Sequence, residues 1–100
     1  MADIESKTRD TTKMRLKEPK KFKVLVLNDD YTPMDFVVAL FMGIFKHSEE
    51  AAVALTLKIH NDGSAIAGIY TFEIAEQKGI EATSLAREHG HPLIVKVETE

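Results

Sequence analysis

Hydrophobic and polar positions follow two different periods along the chain and divide it into six predicted elements. Short, β-branched apolar runs predict buried strands, and apolar residues that recur every three or four positions predict amphipathic helices. The predicted strands cover residues 22–27, 65–71 and 93–97, and the predicted helices cover about 33–46, 49–60 and 72–88. The polar segment before residue 22 fits neither period.

Turn and cap residues mark where these elements begin and end. Thr32 is the predicted N-cap of the first helix, with Pro33 at its first helical position, and Ser48 is the predicted N-cap of the second helix. Gly63 is expected to end the second helix in a left-handed conformation. Four residues of that helix are expected to face inward: Val53, Leu55, Leu57 and Ile59.

The element order β-α-α-β-α-β predicts an α+β fold, a three-stranded antiparallel sheet with three helices packed on one face. The length of 100 residues fits one domain. Residues 22–100 are expected to form this domain, and residues 1–21 are expected to form a disordered N-terminal extension, because they contain few aliphatic side chains.

Charge is distributed unevenly and excludes some classes of function. Residues 1–23 carry eight Lys and Arg against four Asp and Glu, whereas residues 24–100 carry five against twelve. A folded part that is acidic offers no basic face for phosphates, so we expect no nucleic-acid partner. The chain has no cysteine and no apolar run long enough to span a bilayer, and we expect a cytoplasmic protein with no membrane partner.

Three polar clusters could carry chemistry, although turn and cap formation also explains each of them. They are Asn28-Asp29-Asp30 after the first strand, His60-Asn61-Asp62 after the second helix, and His89 with His91 before the last strand. A hydrolase could pair His60 with Asp29 or Asp30, but no nucleophile motif accompanies them. The histidines lack the spacing of the familiar zinc motif, so we expect neither a metal nor another cofactor.

Capture of a cation is a third interpretation of these clusters. Carboxylates, an Asn carbonyl oxygen and a neutral imidazole nitrogen all accept hydrogen bonds, and an ammonium group has only donors. An acidic rim beside an apolar hollow would suit the α-amino group of a chain together with its hydrophobic first side chain.

Four segments closely resemble the ClpS adaptor family. The resemblance spans residues 22–98 and rests most specifically on the run Asn-Asp-Asp-Tyr-Thr-Pro-Met. The four segments are VLVLNDDYTPMDFV at 24–37, LKIH at 57–60, TFEIAEQK at 71–78 and HPL at 91–93. The resemblance implies a noncatalytic adaptor that binds proteins with an N-terminal Phe, Leu, Trp or Tyr and delivers them to a Clp AAA+ ATPase and its ClpP peptidase.

The resemblance also implies roles for individual residues. It assigns the α-amino group of the substrate to Asn28, Asp30 and His60, with Asp29 at the rim. It assigns the hydrophobic side-chain pocket to Thr32, Met34, Val37, Thr56, Ile59 and Leu93. The family has a pocket-gating Met where this chain has Thr56, and a Val is more usual at Ile59, so the range of accepted side chains is open.

Contact with the N-terminal domain of a ClpA-type or ClpC-type ATPase is implied for Tyr31, Glu73 and Lys78. We expect the adaptor to be a monomer. A peptide-binding or ribosome-associated module without delivery to an ATPase is the alternative function, and a hydrolase that uses His60 and Asp30 is the third.

Overall fold

Three strands and three helices follow one another in the predicted order in the computed structural model, which describes residues 19–100. The elements are β1 (Phe22–Leu27), α1 (Met34–Gly43), α2 (Glu49–Asp62), β2 (Ser64–Tyr70), α3 (Phe72–Glu88) and β3 (Ile94–Thr99). The predicted N-terminal extension lies outside the described residues except for 19–21.

The sheet is antiparallel and has the order β2-β1-β3, so β1 is its central strand. Side chains alternate between its two faces: Val24 and Val26 are fully buried, and Lys23 lies on the opposite face. The pairing of β1 with β2 shifts register between Val24 and Leu25, whereas β1 and β3 pair without a shift. The predicted fold class is confirmed.

Small residues bring α3 close to the sheet. The helix buries Ala75, Gly79, Ala82 and Ala86, which recur at helical spacing on one face. A Cβ built on Gly79 would lie 3.4 Å from Cγ2 of Val97, so the glycine fits directly against β3. Close packing therefore accounts for a residue that weakens a helix by about 1 kcal/mol.

The inward face of α2 differs from the prediction. Of the four residues expected to face inward, only Ile59 is buried; Val53 and Leu57 are 41% and 47% exposed. Positions that differ by two cannot share one face of a helix with 3.6 residues per turn. The buried positions are Ala52, Thr56 and Ile59, which are separated by four and three residues.

The first helix begins one residue later than predicted. Pro33 occupies the N-cap position of α1, and the Thr32 hydroxyl donates to the carboxylate of Asp29 at 2.8 Å instead of capping the helix. The Ser48 cap is confirmed, because its hydroxyl oxygen accepts a hydrogen bond from the Ala51 N–H at 3.1 Å. None of the helices in residues 19–100 is long and apolar enough to cross a membrane.

Gly63 joins α2 to β2 in the left-handed conformation expected of it, with φ of 95°. We predict that Gly63→Ala lowers the free energy of unfolding by about 1 kcal/mol, because a Cβ makes this conformation unfavourable. Urea unfolding measures the change.

Gly43→Ala is the matched control, since Gly43 lies at the end of α1 with open space around the position of its Cβ. There the same substitution should be neutral or stabilising by up to about 1 kcal/mol. Equal effects at the two glycines would contradict a role for the left-handed conformation.

Candidate binding site

The loop between β1 and α1 is organised by one carboxylate. Oδ1 of Asp29 accepts hydrogen bonds from the backbone N–H groups of Tyr31 and Thr32, each at 2.8 Å, and Oδ2 accepts from the Thr32 hydroxyl. These bonds form a tight turn directly after β1. The turn leaves the side chains of Asn28 and Asp30 exposed on either side of Asp29.

The pKa of the Asp29 carboxyl reflects these contacts. Its partial burial alone would raise the pKa, but the hydrogen bonds from Tyr31 and Thr32, with a Coulombic contribution from His91, outweigh burial and lower the pKa. Asp29 therefore stays ionised at neutral pH and holds the loop in place. Its predicted contact with an α-amino group stays a prediction.

Backbone hydrogen bonds connect the end of β1 to the end of α2. The Asn28 N–H donates to the Gly63 carbonyl at 2.9 Å, and the Gly63 N–H donates to the Ile59 carbonyl at 2.8 Å. His60 lies in the last turn of α2, one residue after Ile59, and its ring is exposed. This junction brings the Asn-Asp-Asp loop and His60, which are about thirty positions apart in the sequence, to one rim.

Beneath the rim lies a cavity of about 260 Å³. The structure places all ten residues that were predicted for substrate binding around it. Sequence reasoning missed an eleventh, Leu27, although its place as the last strand residue before Asn28 could have indicated it. The lining residues are Leu27, Asn28, Asp29, Asp30, Thr32, Met34, Val37, Thr56, Ile59, His60 and Leu93.

The deep part of the cavity is apolar. Val37 of α1, Ile59 of α2 and Leu93 of the segment before β3 are all buried. Thr56 is also buried, and its hydroxyl donates to the Ala52 carbonyl at 2.8 Å. Because that hydrogen bond satisfies the hydroxyl, the cavity contains no unpaired hydroxyl at this position. Met34 is 45% exposed and contributes a flexible side chain.

The rim is rich in acceptors, and its lining residues within 19–100 include no Lys or Arg. An ammonium group can donate hydrogen bonds to the Asp30 carboxylate, to the side-chain amide oxygen of Asn28 and to a neutral ring nitrogen of His60. The two cavity hydroxyls, of Thr32 and Thr56, donate to Asp29 and Ala52. Within residues 19–100, neither hydroxyl is hydrogen bonded to His60.

The residues predicted to contact an ATPase lie in two places. Tyr31 is 79% exposed at the tip of the loop, and Glu73 is exposed in the first turn of α3. Lys78 is half-buried; its ammonium group donates to the Ile44 carbonyl at 2.8 Å and lies 6.0 Å from the centre of the Tyr70 ring. This ring is partly buried, and burial raises the pKa of the Tyr70 hydroxyl.

His89 and His91 both pack against the ring of Phe36. The His91 ring lies 4.7 Å from that of Phe36, centre to centre, and His89 Nδ1 lies 3.0 Å from the Leu85 carbonyl oxygen. Within residues 19–100 no three His, Asp or Glu side chains are grouped so that they could hold a metal ion.

The sequence and the structure are both similar to those of known proteins. The family described as "ATP-dependent Clp protease adaptor protein ClpS" matches residues 17–96. The ATP-dependent Clp protease adapter protein ClpS of Helicobacter hepaticus is 51% identical over 83 residues, which cover 83% of this chain and 84% of that protein. The protein of the same name from Hyphomonas neptunium is 44% identical over 89 residues, covering 89% of this chain and 75% of that protein.

A solved structure is also similar, that of Agrobacterium tumefaciens ClpS2 bound to L-phenylalaninamide. It superposes with a TM-score of 0.81 at 41% sequence identity and covers 83% of this chain and 100% of that one. Sequence and fold thus agree over most of the chain: it belongs to the ClpS family of Clp protease adaptor proteins.

Proposed function

We propose that this chain binds proteins that begin with Phe, Leu, Trp or Tyr and delivers them to a Clp ATPase and its ClpP peptidase. The observation that carries the proposal is a rim that offers hydrogen-bond acceptors, with no Lys or Arg among the lining residues in 19–100, above an apolar cavity. An N-terminal residue of this kind offers an ammonium group and an apolar side chain on the same Cα atom. L-Phenylalaninamide, which is bound to the similar ClpS2 structure, has both groups.

Binding would proceed in two contacts that reinforce each other. The substrate's first side chain fills the cavity formed by Val37, Ile59 and Leu93 and loses contact with water. Its α-amino group then lies at the rim, where Asn28, Asp30 and His60 accept hydrogen bonds from it. A charge-assisted hydrogen bond is about twice as strong as a neutral one, so the rim selects for a free amino terminus.

Delivery would use surfaces outside the cavity. Tyr31 and Glu73 are exposed and available to the N-terminal domain of a ClpA-type or ClpC-type ATPase. Lys78 would reach the same domain with the donors that its bond to the Ile44 carbonyl leaves free. The adaptor would act in the cytoplasm by binding alone, with each cavity formed by one copy of the chain.

We predict that acetylation of the α-amino group of a Phe-led peptide weakens its binding at least tenfold. The reason is the loss of charge-assisted hydrogen bonds, each of which leaves an unpaired acceptor at the rim and costs about 1 to 3 kcal/mol. Fluorescence anisotropy with the free and acetylated peptides measures the difference. Equal affinities would exclude the rim as an ammonium site.

Asp30→Asn provides a matched test of the same rim, because it removes a charge and keeps the shape of the side chain. It should reduce the preference for the free amino terminus, whereas Asp62→Asn at the exposed end of α2 should leave that preference unchanged. The two variants lose the same charge, so a difference between them assigns the effect to the rim.

Thr56→Met should widen the discrimination between first residues. A Met side chain would cover the first side chain of a Phe- or Leu-led peptide and improve its binding by about 1 kcal/mol. The same Met side chain would crowd the β-branched side chains of Ile and Val. We expect Phe- and Leu-led peptides to bind more tightly and Ile- and Val-led peptides to bind more weakly. Val53→Met, on the exposed face of α2, is the control. An unchanged ratio would mean that another residue, such as Met34, limits the cavity.

Deletion of residues 2–18 should separate binding from delivery. These residues are mostly polar. The residues proposed to bind the substrate all lie between positions 28 and 93. We expect unchanged affinity for a Phe-led peptide and loss of ATP-dependent degradation of a Phe-led reporter by the ATPase and ClpP. If the truncated chain still supports full degradation of the reporter, the extension has no role in delivery. If the intact chain supports no degradation with either ATPase type, the result would favour a module that only binds peptides.

A further inference from the structure

The two outer strands of the sheet differ in how their free edges are protected. The edge strand β2 carries a register shift opposite Val24 and Leu25, and the His47 ring nitrogen lies 2.6 Å from the Ala67 carbonyl oxygen. Bulges and covering side chains are the usual protection of an edge. The edge strand β3 pairs with β1 in unbroken register, and within residues 19–100 no strand pairs with its other edge.

The hydrogen-bonding groups of β3 that point away from β1 can be identified. The Glu100 N–H donates to the Lys21 carbonyl at 3.0 Å, in line with the pairing register of β1 and β3. Backbone groups of successive residues point to opposite edges of an antiparallel strand. Val95, Val97 and Thr99 therefore direct their N–H and C=O groups to the free edge.

The side chains of β3 are arranged in a self-complementary order. Val95 and Val97 face α3, and Lys96 and Glu98 face the other side of the sheet. In an antiparallel pair of identical strands centred on Val97, Lys96 of each copy lies opposite Glu98 of the other. Centring the pair on Lys96 instead would place Lys96 opposite Lys96. Centring it on Glu98 would place Glu98 opposite Glu98, flanked by two Lys96–Glu100 pairs. Each of these registers contains a like-charge pair, which is unfavourable, whereas the register centred on Val97 contains none.

An exposed apolar groove lies beside this edge. It has a volume of about 350 Å³ and is lined by residues of α3 and by Val95 and Val97. Ile80 and Phe72 of this groove are 60% and 48% exposed, although both are large apolar side chains. A strand added to β3 would place its own inward-facing valines next to this groove and reduce the exposure of these residues.

We propose that β3 of one copy pairs with β3 of a second copy, antiparallel and centred on Val97, to form a continuous six-stranded sheet. In this register the free backbone N–H and C=O groups of Val97 form hydrogen bonds with those of Val97 in the second copy. The free groups of Val95 pair in the same way with those of Thr99. One short strand and a groove bury less area than stable dimers do, so the association is weak and the dilute protein is a monomer. The substrate cavity remains open, because the second copy pairs with the edge of β3 that points away from β1, and the lining residues Leu27 and Leu93 adjoin only the Ile94 end of β3.

Charge exchange tests the pairing on the full chain. Sedimentation equilibrium between about 10 μM and about 1 mM should show a monomer–dimer equilibrium. Lys96→Glu and Glu98→Lys should each weaken the dimer by about tenfold or more, since each places like charges opposite one another twice. An equimolar mixture of the two variants should restore association, because the opposite charges then face each other again.

Lys58→Glu is the matched control, since it makes the same charge change on α2 and should leave association unchanged. Thermal unfolding and binding of a Phe-led peptide verify that each variant is folded. A wild-type chain that stays monomeric throughout this range, or a mixture that associates no better than the single variants, would overturn the proposal.

Hydrogen exchange gives a second measurement that needs no variant. The amide protons of Val95, Val97 and Thr99 point to the free edge and should exchange more slowly as the protein concentration rises. The amide proton of Lys96 already points to β1 and should not change. Equal rates at low and high concentration for the three outward amides would overturn the proposed register.

Discussion

The junction between the end of β1 and the end of α2 is the constraint on which the site depends. Gly63 adopts φ of 95°, so that its N–H closes the last turn of α2 and its carbonyl accepts the Asn28 N–H. A residue with a Cβ would strain this conformation. Without the junction, the acceptor loop and His60 would not share a rim, and the cavity would lose one wall.

The cavity combines two requirements that usually oppose each other. Its floor must be dry and apolar, whereas its rim must attract a charged group. The chain meets both because buried side chains of α1, α2 and the segment before β3 form the floor, and exposed residues at element ends form the rim. The buried Thr56 fits this floor because its hydroxyl donates a hydrogen bond to the Ala52 carbonyl.

The sheet and α3 serve mainly as a rigid support for that cavity. Ala75, Gly79 and Ala82 let the helix lie close to the strands. This packing fixes the position of the buried Leu93, which lies in the segment between α3 and β3. The Arg87 guanidinium reinforces this position by donating to the carbonyls of His91 and Leu93 at 2.8 and 2.9 Å.

The sequence by itself determined the element order, the fold class and the Ser48 and Gly63 caps, because these follow from local periodicity and from backbone preferences of single residues. It also indicated the members of the cavity through family resemblance, whose binding roles remain predictions. Only the tertiary structure decided that Thr32 bonds to Asp29 rather than capping α1, and that Ala52 and Thr56, not Val53 and Leu57, face inward. Local patterns do not determine which of these contacts forms, because the contact depends on packing between segments that are far apart in the chain.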